Sequence, residues 1–172
     1  MRSLRVVVTL ADLAHLPRPG CSGANRNAFD SMLQDVGLGH WPDDAVEQFL
    51  WEHGADSRFL GHYGHLDLVA LEWVDEQRTT AELVSATTAD DMTWSDTVTA
   101  SAASQLKYQP RGVQDSWNVN GTWLRPPLFL DGALRNPPQT ELHLIEGHTR
   151  LGSLRGLLQL GAITEDATHR VL

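Results

Sequence analysis

The sequence predicts an α+β fold, a small mixed sheet with helices into which a helical lobe is inserted near the N-terminus. Three observations predict it. A short β-branched run, SLRVVVTL (Ser3–Leu10), lies near the start. Helical periodicity dominates from about Ala28 to Leu106. The last third returns to strand-like alternation and ends in a strand, a turn and a helix. With 172 residues, 41% hydrophobic and 20% charged, the chain is long enough for one domain with its own core. The expected division is a single domain over 1–172, with the lobe at 20–108 and the sheet core at 109–172 plus strand 3–10.

Each element follows from local pattern. Ser3–Leu10 reads as a buried strand. PRPGCSGANRN (Pro17–Asn27) is a loop dense in Pro, Gly, Ser and Asn. Asp44 and Glu47 have capping-box spacing, and Val46, Phe49, Leu50 and His53 behind them share one helix face. Gly54 would end that helix. Leu66, Val69, Ala70 and Trp73 repeat the spacing. Thr79 and Glu82 form a second capping-box pair. Trp94–Leu106 predicts a further helix, and Leu106–Gly121 a loop. TWLRPPLFLDG (Thr122–Gly132) predicts a strand with an irregular start at its two prolines, followed by a turn through Asn136-Pro137-Pro138. Leu142–Ile145 predicts a strand, Gly147 a turn and His148–Leu160 a helix with Gly161 at its end. THRVL predicts a final short strand.

Composition excludes several classes of function. No run of about 18 apolar residues is present, so no membrane-spanning helix is expected. The first twenty residues lack a sustained apolar stretch, so the expected setting is cytoplasmic, and Asn120-Gly121-Thr122 carries no weight as a glycosylation site. Cys21 is the sole cysteine, which excludes an internal disulfide and any zinc site built on several thiolates. The net charge is −9. Residues 1–106 hold 6 basic and 16 acidic residues, and residues 107–172 hold 7 and 6. So acidic a chain is a poor ligand for duplex DNA. Its C-terminal third, at +1, suits a small anion better.

The segment LHLIEGHTRLGSLRGLL (Leu142–Leu158) concentrates the chemistry. A helix that starts at His148 aims its first-turn N–H groups and its positive dipole end at the preceding turn. Thr149 adds a hydroxyl, Arg150 a guanidinium fork suited to phosphate, and His148 a group that moves protons near neutral pH. Gly152 and Gly156, four apart, allow close packing of the helix. The plainer reading is a tight strand-to-helix turn in which Arg150 pairs with an acid of the lobe.

LIEGHTRLGSLRGL resembles the signature of the ParB/sulfiredoxin-like superfamily, nearest to its ParB-like nuclease and free-serine-kinase branches. The motif stands here as Glu146-Gly147-His148-Thr149-Arg150. Gly121, Pro126-Pro127-Leu128-Phe129-Leu130 and Asn136-Pro137-Pro138 fit the family's upstream strand and hairpin, and GAITEDATHRVL fits its closing strand. The resemblance spans about Gly121–Leu172. It implies a ParB/sulfiredoxin-like core and a phosphate cradle for a nucleotide (ATP, ADP or CTP) at Gly147, His148, Thr149 and Arg150. Mg²⁺ would come with the nucleotide. NTP hydrolysis or phosphoryl transfer is the chemistry implied, with His148 and Glu146 as catalytic acid/base candidates. Departures narrow this. His148 replaces the cysteine that sulfiredoxin chemistry needs. Thr149 replaces a basic residue of the partition motif. Only 22 residues follow Arg150, so no DNA-sliding clamp is expected.

Other groups carry less. His62, His65 and Asp67 have no third ligand set by spacing, so no metal site is expected. Asp43-Asp44 and Asp90-Asp91 read as caps and solvated turns. Trp41, Trp51 and Trp73 read as core. The competing function is a non-enzymatic protein of antitoxin or immunity type, whose acidic lobe binds a basic protein partner on a degenerate ParB-like scaffold.

Overall fold

The computed structural model describes residues 7–16, 25–89, 99 and 106–172. The chain forms two compact units, 1–73 and 74–172. The chain is mixed α+β, as the sequence predicts at the coarse level; its named strands all lie in the second unit and pair antiparallel in two small sheets, where one mixed sheet was expected.

The first unit is helical. Helix α1 (Leu10–Leu13) starts where Thr9 and Asp12 form a reciprocal capping box. The reading of Ser3–Leu10 as a strand is therefore corrected over its described part: Thr9 contributes one bridge, to Asp67, and the chain then turns helical. Helix α2 (Arg26–Asp35) is capped by Asn25, and α3 (Asp43–Ala45) runs on as a π-helix over Val46–Trp51. Pro42, not Asp44, is the N-cap of α3, so no capping box with Glu47 forms. Asp43 and Asp44 instead sit in the first turn, where the dipole favours them. Helix α4 (Ser57–Tyr63) is capped by Asp56. The expected helix through Leu66–Trp73 shrinks to one 3₁₀ turn, Leu68–Ala70. Its backbone is drawn into tertiary pairing instead, with Leu68 N–H donating to the Val8 carbonyl at 2.8 Å. Phe49 lies at the centre of this unit, with the rings of Trp41, Phe59, Tyr63 and Trp73 at centroid distances of 5.2–6.2 Å. Trp41 is buried core, as its helical spacing suggested.

The second unit carries two two-stranded antiparallel sheets. Strand β1 (Glu76–Thr79) pairs with β4 (Thr168–Val171), Glu76 opposite Val171. Strand β2 (Leu128–Leu130) pairs with β3 (His143–Glu146). Leu172 joins the two sheets: its carbonyl accepts from Phe129 N–H at 2.7 Å, and its N–H donates to the Pro127 carbonyl at 3.2 Å. Helix α5 (Thr80–Val84) starts at the Thr79–Glu82 capping box that the spacing predicts. The expected loop at Leu106–Gly121 is instead α6 (Arg111–Asp115) continued by a π-helix, Ser116–Asn120, which Gly121 ends with a φ of 65°. Trp117 makes the difference: it is buried among Trp123, Leu83 and Leu144, and that burial rewards helical order in a polar sequence. Helix α7 (His148–Gln159) lies on the same core through Leu151 and Leu154. Apart from Thr99 and Leu106, the helix expected at Trp94–Leu106 lies outside the described residues, as do Cys21 and Asp90-Asp91.

Candidate functional site

The strand–turn–helix expected at Leu142–Leu160 is present. β3 ends at Glu146, Gly147 turns, and α7 begins at His148. Leu144 and Ile145 are fully buried, which fixes the strand against the core. Gly147 has φ 110° and ψ 26°, a conformation that L side chains rarely adopt. A Cβ there would lie 2.6 Å from the Pro127 Cβ. Two independent demands therefore select glycine. As the N-cap of α7 it offers no side chain to the first-turn N–H groups, and no side-chain cap is formed. The positive end of a twelve-residue helix thus faces the turn.

Arg150 makes its contacts within the protein. Its guanidinium donates to the carbonyls of Arg125 at 3.1 Å and Pro126 at 3.3 Å. It also reaches the Glu146 carboxylate at 3.4 Å. The Arg150 side chain is 19% exposed and that of Glu146 24%. The acid expected to pair with Arg150 is therefore Glu146, one turn away, rather than one in the lobe. Arg150 fastens the segment before β2 to the start of α7. Thr149 is half-buried, and the Nε2 atom of His148 is shut off from solvent.

One turn further on, Arg155 donates to the carbonyls of Val84 at 3.1 Å and Ala86 at 2.6 Å. These bonds fasten α7 to the end of α5. Gly152 and Gly156 on either side are buried. Residues 146–150 thus form one turn between β3 and α7.

Two polar clusters escaped sequence reasoning. His143, fully buried on β3, bonds Thr87 Oγ1 at 2.9 Å and accepts from Arg135 Nη1. His169, buried on β4, lies between the hydroxyls of Thr80 and Thr122. Their one signal is a histidine at an inward position of a strand, which does not reveal a partner dozens of residues away. Among the described residues, no group of three His, Cys, Asp or Glu side chains could hold a metal ion. Comparison with protein-family models, curated proteins and solved structures found no match.

Proposed function

We propose that the chain binds a small phosphate-bearing ligand at the turn Glu146–Arg150. The observation that carries this reading is the start of α7: a long helix led by a glycine in the left-handed region, with no side-chain cap. Helix N-termini of this kind favour anions through oriented main-chain donors and the dipole. The ParB/sulfiredoxin-like resemblance of the motif, and the core it implies, support the same ligand class. The donors in this reading are the first-turn main chain and the Thr149 hydroxyl. Arg150 is a positioning residue that keeps the turn on Pro126-Pro127 and balances the Glu146 charge.

A nucleotide is the natural carrier of such a phosphate, and NTP hydrolysis or phosphoryl transfer would follow from charge stabilisation by positioned donors. Glu146 and His148 are the groups of the turn able to move a proton. The turn does not fit a Mg²⁺ ion held by protein. Glu146 is its one carboxylate, and that carboxylate pairs with Arg150. A hard divalent cation prefers several oxygen ligands.

Thermal-shift titrations with inorganic phosphate, ADP, ATP, CTP and GTP, with and without Mg²⁺, test the reading. Binding to the folded state raises the midpoint by mass action, so at least one of these ligands should raise it. A flat response to all of them at millimolar concentration removes the proposal. The placement of 16 of the 22 acidic residues within 1–106 favours a second reading, an interaction protein for a basic partner. That reading predicts the flat response, together with salt-sensitive binding to a basic protein.

A further inference from the structure

We infer that His169 is an acid-sensitive latch for the C-terminal strand, its neutral ring tying β4 to the start of α5 and to the loop before Trp123. His169 is 1% exposed. Nε2 lies 2.9 Å from Thr80 Oγ1, and Nδ1 lies 2.9 Å from Thr122 Oγ1. Thr80 Oγ1 also donates to the Ala167 carbonyl at 3.2 Å. A hydroxyl has one proton to give, so Thr80 accepts from Nε2–H, and Nδ1 accepts from the Thr122 hydroxyl. The chain of bonds then runs Thr122 → His169 → Thr80 → Ala167 in one direction. A second ring proton, at Nδ1, removes the acceptor that Thr122 uses and reverses that end of the chain.

The groups around the ring bring it no counter-charge. It bonds the two threonine hydroxyls and lies beside the rings of Trp117 and Trp123, at centroid distances of 6.3 and 5.0 Å. Across from it on β1 stands a cation, Arg78, in register with His169. The carboxylates near Arg78 are already engaged: Glu76 and Glu82 bind its guanidinium, and Glu82 also caps α5 through Thr79. On β4 itself Arg170 holds Asp75 at 2.8 Å, and at the start of the Trp117 helix Asp115 lies 3.8 Å from Arg111. Among the described residues no carboxylate contacts the imidazole. Burial accordingly holds its pKa below the ordinary histidine value. The unfolded chain takes up the proton more readily, so acidification below the ordinary histidine range costs stability until the folded-state pKa is reached. β4 leads directly into Leu172, whose bonds to Pro127 and Phe129 join the two sheets, so a loosened β4 loosens that junction too.

His169→Gln tests the latch, because its amide can donate and accept at the same hydroxyls but cannot titrate. Circular-dichroism melts are compared between pH 7.5 and 5.0, with hydrogen exchange read at the β4 amides. The wild-type protein should lose roughly 2–4 °C more than His169→Gln over this interval. Its β4 amides should exchange severalfold faster at the acid end, after correction for intrinsic rates. His143→Gln, which removes the other fully buried histidine, should keep the acid response of β4. Equal pH slopes in wild type and His169→Gln overturn the inference. If His169→Gln does not fold, an NMR titration of the wild-type histidines decides. A His169 ring that titrates below the ordinary histidine range supports the latch, and one that titrates within it or above refutes it.

Discussion

At the scale of single residues, Gly147 and Arg150 make the strand-to-helix turn what it is. Gly147→Ala meets both a disfavoured backbone conformation and the Pro127 side chain. The expected cost is about 2–4 kcal/mol. A thermal melt indistinguishable from wild type would show that neither constraint operates. Arg150→Ala strips two main-chain carbonyls and a carboxylate of their donor in a largely buried place. The expected loss is about 2–3 kcal/mol. Arg150→Lys should recover only part, since one ammonium cannot copy the planar fork. Urea melts of the three proteins check the order, and an unchanged midpoint for Arg150→Ala would return Arg150 to the ligand. The residue types of the turn were legible in the sequence. The duty of Arg150 was not, because two of its acceptors lie 24 and 25 positions upstream in a loop that only the folded sheet brings near.

At the scale of elements, helix starts show where local pattern decides. Asp56 accepts from the N–H groups of Arg58 and Phe59, and the Phe59 bond chiefly holds its carboxyl below the usual carboxylate range. Asp56→Ala should cost about 1 kcal/mol. The folded-state pKa is lowered, so this contribution is complete above the ordinary carboxylate range and disappears as pH falls through the lowered value. A wild-type advantage over Asp56→Ala that persisted at the acid extreme would contradict the cap. Thr79–Glu82 was legible because both halves of the box are local and nothing competes with them. Asp44–Glu47 misled because Pro42 starts the helix earlier, so that Asp44 falls inside its first turn. Leu66–Trp73 misled because Val8 and Thr9 claim its backbone. The helix through Trp117 was hidden because its reward is burial against β3 and α7, which a polar local sequence does not announce. Strand β3, the turn and α7 were legible because hydrophobic pattern, glycine and helix period agree there at every step.

At the scale of the whole molecule, charge decides what the chain avoids. Residues 1–73 carry 5 basic and 10 acidic residues, a net of −5; residues 74–172 carry 8 and 12, a net of −4. Most of the described basic residues are also occupied at home. Arg26, Arg58, Arg78, Arg111, Arg150 and Arg170 each lie within 4.0 Å of a carboxylate. Arg155 bonds main-chain carbonyls, Arg135 bonds His143, and Lys107 lies over the Tyr108 ring. Duplex DNA is held largely by cations that neutralise phosphates and release counterions. A chain that engages most of its described cations internally and carries twice as much acid as base in residues 1–73 offers few for that purpose. None of the described helices is long and apolar enough to cross a membrane. Fluorescence anisotropy with a short labelled duplex near physiological salt should therefore show no binding up to roughly 100 µM protein. Lowering the salt should bring at most a weak, sequence-independent signal. Submicromolar binding that weakens steeply with added salt would mean that these arginines exchange their carboxylates for phosphates, and the charge argument would fail with it.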